Sequence, residues 1–174
     1  MPKIKKIHHV AYRCHDAKET ADWYQKHLHM ELTVAISEDH VPSTKAADPY
    51  MHIFLDAGMG NVLAFFEITG SPKMGRDENT PLWVQHIAFE VEGHKDLLSF
   101  KSHLEENDIE VLGITNHTIF QSIYFFDPNG HRIELAYNTS TKEQRERLKK
   151  VVKPMLEEWS KTKRPPKHAD WLHK

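Results

Sequence analysis

A chain of 174 residues with 23 basic and 25 acidic side chains, for a formal net charge of −2, has no electrostatic footprint for nucleic acid, and a small molecule is the expected partner. A single cysteine, Cys14, excludes an internal disulfide. There is no apolar run of signal-peptide or transmembrane type, so the expected location is a reducing cytoplasm with no membrane partner. The unusual count is histidine, 14 in all, which raises the prospect of a metal site without locating one.

Residues 5–14 read as a strand whose more apolar face carries His8, Val10, Tyr12 and Cys14, so His9 falls on the other face with Arg13 and is the better candidate for chemistry. Asp16 then caps a helix with Ala17, Ala21, Tyr24 and Leu28 at helical spacing. A second strand spans 30–36, and the polar stretch 37–48, carrying Pro42, reads as an exposed loop bordering a site. Residues 50–56 and 61–69 form a strand pair across the turn AGMG, with Glu67 a lone charge in its second arm.

After a Gly/Pro-punctuated stretch at 70–81 the order begins again. The run WVQHIAFEV over 83–91 resembles IHHVAYRC, and His86 stands where His9 stood. A helix over 94–107 follows, with Leu97, Leu98, Phe100 and Leu104 as its apolar stripe, then a short strand over 109–114. The hairpin QSIYFFDPNGHRIELAY closes the unit around Asp127-Pro128-Asn129-Gly130. In its second arm Arg132, Glu134 and Ala136 alternate with Ile133, Leu135 and Tyr137.

The chain is therefore strand, helix and three strands written twice, each copy with a histidine in its first strand and a glutamate in its last. A pseudo-two-fold would bring His9, Glu67, His86 and Glu134 to one point. Two imidazoles and two carboxylates suit one divalent transition metal (Zn, Ni, Co, Mn or Fe).

The repeat with HHVAYR, FFEIT, QHIAFEV and SIYFFDPNGHRIEL resembles the vicinal oxygen chelate superfamily, which includes glyoxalase I, fosfomycin- and bleomycin-resistance proteins and extradiol dioxygenases. The resemblance covers residues 4–137 and implies an α+β fold. Two βαβββ modules, at about 4–70 and 82–138, would form one domain over 1–139, a cupped, mostly antiparallel sheet around the metal. It implies His9, His86 and Glu134 as metal ligands. Glyoxalase I-like members add a carboxylate at the place of Glu67 and a substrate-holding arginine at the place of Arg13. In that leading reading Glu67 is a fourth ligand that doubles as general base, and the enzyme is a lyase or isomerase acting through an enediolate-like anion. The alternative is an Fe(II) extradiol dioxygenase, for which Tyr124 matches the tyrosine ten residues before the glutamate. A fosfomycin-type transferase or a small-ligand binder is the third reading.

Past Tyr137, Ser140 and Glu143 form a capping box for a helix striped with Leu148, Val152, Met155 and Trp159, which Pro154 should kink or break. Residues 140–174 are thus a C-terminal helix and arm, docked through Trp171 and Leu172 or disordered. Because the apolar stripe needs cover, a homodimer is expected.

Overall fold

In the computed structural model, which describes residues 2–72 and 74–173, Asp16 starts α1 (Ala17–Leu28) as its side chain accepts the Glu19 N–H at 2.8 Å. That helix follows β1 (Val10–Arg13) and leads into β2 (Leu32–Glu38), β3 (Tyr50–Asp56) and β4 (Val62–Ile68). The second unit repeats the order with β5 (Ile87–Glu90), α2 (His94–Glu106), β6 (Leu112–Asn116), β7 (Phe120–Phe126) and β8 (Arg132–Asn138). The architecture is α+β, as the repeat predicts. The first sheet runs β1-β4-β3-β2 and the second β5-β8-β7-β6. In each, the first strand pairs parallel with the last and the other neighbours are antiparallel.

Both first strands are shorter than the sequence suggests. β1 begins at Val10 and β5 at Ile87, so His9 and His86 each sit one residue ahead of their strand.

One core joins the two units. Tyr24 and Leu28 of α1, Leu63 and Phe65 of β4, Leu97 and Leu104 of α2, and Phe125 and Ile133 of the second sheet belong to a single buried cluster. Each such side chain contributes roughly 1.5–3 kcal/mol on burial. The helix-covered faces of the two sheets thus share their core. Opposite faces stay open to solvent, with Val34 and Ile36 exposed on the first sheet and Leu112 and Phe126 on the second.

At the α1–α2 seam, buried His27 meets His103 with Nδ1 and Nε2 3.1 Å apart. Burial holds the His27 pKa below its ordinary 6.5, and Lys26 and His103 push it the same way. A lowered folded-state pKa leaves stability complete above 6.5 and removes it as pH falls below, because the unfolded chain takes up the proton first. The melting temperature is expected to drop between pH 7 and pH 5.5, and His27→Gln to flatten that slope in thermal melts.

The C-terminal helix, α3 (Lys142–Thr162), is capped by Thr141 with Gln144, one residue downstream of the predicted Ser140–Glu143 pair. The reciprocal box needs only a hydroxyl and a carboxyl or amide three apart, and both registers offer it. Pro154 does not end the helix, which runs on to a left-handed Lys163. None of its 21 residues is buried, and Val152, Leu156 and Trp159 are exposed. The arm folds back so that the Arg147 guanidinium lies 4.0 Å over the Trp171 ring. No helix among the described residues is long and apolar enough to cross a membrane.

Candidate active site

The β7–β8 turn is built around Asp127. Its buried carboxylate accepts the N–H groups of Asn129 (2.9 Å) and His131 (2.8 Å) and the Tyr24 hydroxyl (3.1 Å). Gly130 supplies the left-handed φ of +82° that closes the turn. The Asn129 side chain accepts the His15 N–H at 2.7 Å, which ties the turn to the first unit.

This turn fixes a register in which Tyr124 stands opposite Glu134 and Ser122 opposite Ala136. Glu134 is 3% exposed. Its Oε1 accepts from Ser122 Oγ and from Tyr124 Oη, the latter at 3.0 Å, while Oε2 lies 2.9 Å from His86 Nε2. Tyr124 has one hydroxyl proton and gives it to a carboxylate, so His117 Nε2, 2.8 Å from the same oxygen, is the donor in that contact. Burial raises the Tyr124 pKa. The Arg132 guanidinium lies 4.1 Å from the centre of the Tyr124 ring and donates through Nη1 to the Trp83 carbonyl at 2.9 Å.

A buried carboxylate is costly without a cation. Among the described residues neither Lys nor Arg pairs with Glu134, whose one ionic neighbour is His86. The donor set therefore suits a divalent transition metal.

In the first unit His9 holds the place of His86, since Val10 pairs with Leu63 as Ile87 pairs with Ile133. Its neighbours are His8, at 2.8 Å between Nδ1 atoms, and the rings of His52 and Phe54. His52 stacks on Phe66 at 3.6 Å, and its buried Nε2 has no partner among the described residues. Burial, then the nearby His9, lowers the His52 pKa. Beside this group is an apolar cavity of about 410 Å³, lined by Val41, Pro42, Tyr50, Phe66 and Ile68 under the 39–49 loop.

The structure brings His86, Glu134 and Tyr124 together. No group of three or more His, Cys, Asp or Glu side chains able to hold a metal occurs within the chain among the described residues, so His9 does not join them there. Glu67 points elsewhere: its Oε2 accepts the Ala17 N–H at 2.7 Å, at the start of α1. The reason is register. Ala88 pairs with Glu134 in the second unit and Ala11 with Ala64 in the first, so Ala64 is the counterpart of Glu134. Glu67 is three residues further on, an odd step that turns it to the helix-covered face. Arg13 donates to the Pro72 carbonyl at 2.5 Å, in the stretch between the two units. Ser122, His117, Arg132 and His52 were not predicted as site residues. The first and third follow from hairpin register and alternation, whereas no sequence signal announces that His117 reaches Tyr124.

The two βαβββ modules, one with His86 paired to the buried Glu134 on the sheet face opposite its helix, are the repeat that the sequence predicts. The profile of the Glyoxalase/Bleomycin resistance protein/Dioxygenase superfamily matches residues 6–135, and the chain belongs to that family. It is 28% identical over 139 residues to MhqA of Bacillus subtilis (strain 168), whose name assigns it as a ring-cleaving dioxygenase; the match covers 77% of this chain and 40% of that protein. The chain thus spans well under half the length of this relative. Among solved structures, the glyoxalase family protein from Enterococcus faecalis is similar at 27% identity and a TM-score of 0.55, over 76% of this chain and 97% of that one. A variant of the fosfomycin-resistance protein FosX from Listeria monocytogenes, complexed with Mn(II) and 1S,2S-dihydroxypropylphosphonic acid, shares the fold with a TM-score of 0.55 at 20% identity, over 82% of this chain and 98% of that one.

Proposed function

We propose that the protein is a metal-dependent ring-cleaving dioxygenase for a small aromatic diol, with His86 and Glu134 of one copy and His9 of a second copy as ligands to Fe(II) or Mn(II). The observation that carries this reading is the turning away of Glu67. Without it the candidate set is two histidines and one carboxylate, the donor pattern of non-haem Fe(II) oxygenases with open positions. A lyase or isomerase reaction of glyoxalase I type needs the Glu67 carboxylate as a base at the metal, and that carboxylate caps α1 on the far face. Similarity to MhqA supports the same choice of reaction.

The second copy enters because the helix-covered faces meet inside one chain and leave Val34 and Ile36 exposed on the opposite face of the first sheet and Leu112 and Phe126 on that of the second. A symmetric pair would set the open face of one first unit against that of the partner's second unit, with each chain contributing to two sites.

The metal, when bound, would supply Lewis acidity and a meeting point for the diol oxygens and O2. The chain's own residues do the rest. Ser122 and Tyr124 orient Glu134 through Oε1 and turn Oε2 toward His86 Nε2, 2.9 Å away, where a cation would take the place of that contact. The Tyr124 hydroxyl gives its proton to Glu134 and accepts from His117, and its second lone pair is available to a substrate hydroxyl. Tyr50, Phe66 and Ile68 offer an apolar wall for a ring.

Protein loaded anaerobically with Fe(II) and mixed with catechols and hydroquinones is expected to consume one O2 per diol, both oxygen atoms entering a ring-opened product. Absence of oxygen uptake with either metal, alongside redox-neutral turnover of an oxygenated substrate, would overturn the assignment.

A further inference from the structure

A cleft of about 450 Å³ opens beside His86 between the 74–82 segment and the β7–β8 turn, and Arg132 and Arg76 both line it. The charges within it do not cancel. Asp77 is the acid of this wall, and its carboxylate accepts from Thr80 Oγ1 and the Asn79 N–H while Arg76 lies near enough to lower its pKa further. Arg132 has no carboxylate partner among the described residues. One of its donors is fixed on the Trp83 carbonyl and its plane rests on Tyr124, which leaves the other edge of the guanidinium available. His131, also in the lining, is engaged with the Arg13 carbonyl and Asn129 with the turn, so neither competes for a ligand.

We propose that this cleft receives an anionic substituent of the substrate, a carboxylate on the diol ring, and that Arg132 is the residue that selects for it. The proposal rests on the diol reading above. It names what that reading leaves open, the charge of the substrate. A carboxylate fits because a half-buried guanidinium with an open fork binds two coplanar oxygens, and because Arg132 and His86 line the same space, so one ligand can reach both.

The test compares 3,4-dihydroxybenzoate with catechol, by tryptophan fluorescence, on protein loaded with Co(II) to prevent turnover. Wild type is expected to bind the carboxylate about tenfold or more tightly, the value of a charge-assisted hydrogen bond. In Arg132→Gln the ratio of the two affinities falls toward one, and Arg132→Lys, which keeps the charge and loses the fork, gives an intermediate ratio. Raising NaCl from 50 to 500 mM shrinks the wild-type ratio without any substitution, and so decides the matter even if Arg132→Gln misfolds. A wild-type ratio near one, or a ratio unchanged in Arg132→Gln, would sink the proposal. Benzoate binding to metal-free protein that depends on Arg132, with neither diol binding the loaded protein, would support the anion cleft and reject the diol reading, so the two fail separately.

Discussion

Glu134→Gln will weaken divalent-metal binding by at least about a hundredfold, since loss of an orienting residue behind a ligand alone costs 10–100-fold and this change removes the ligand's charge. Titration of chelator-treated protein with Mn(II) or Co(II), and metal content after purification, read the effect directly. The fold should not suffer. The carboxylate is almost fully buried and, among the described residues, pairs with no Lys or Arg, so an uncharged isostere relieves desolvation and keeps an oxygen for Ser122 and Tyr124 to bond. The metal-free variant is therefore expected to melt at or above the metal-free wild type. Glu67→Gln is the matched control. It leaves metal content alone and lowers the melting temperature, because a charged partner of the α1 N-terminus is lost. Metal retained in Glu134→Gln and lost in Glu67→Gln would reverse the assignment of the two carboxylates.

Those two glutamates also mark where the sequence was legible. Alternation in RIELAY put Glu134 opposite the apolar phase, and the DPNG turn sets the register that places Tyr124 across from it. The double strand-helix-strand order was equally plain, because turn residues and a change of hydrophobic period bracket every element. Glu67 was different. Placing it with Glu134 relied on each unit ending on a glutamate, and what decides the matter is the parallel pairing of first and last strands, which single-strand patterns do not encode. One step of odd parity sends the side chain to the other face. His52 and Arg132 lay on the right face by alternation, yet nothing in their spacing separates a site residue from a strand residue. His117 reaches Tyr124 only through the folded β6–β7 hairpin, where it stacks on Phe120. The C-terminal helix is legible in the spacing of Leu148, Val152, Met155 and Trp159, and within one chain that stripe meets no core.

The proposal that each site draws on two copies has a direct measurement. His9→Ala and His86→Ala are prepared separately, each expected to be folded and to retain no metal after a chelator wash. They are then mixed in equal amounts under conditions that let subunits exchange, and bound Co(II) or Mn(II) is counted. If sites form across a symmetric dimer, half of the reassorted dimers are mixed and each of these has one site with both histidines intact, so metal content returns to about a quarter of wild type. If every site lies within one chain, each chain lacks a ligand in every combination. Metal content that stays at zero on mixing, with exchange shown to be complete, would contradict the shared site.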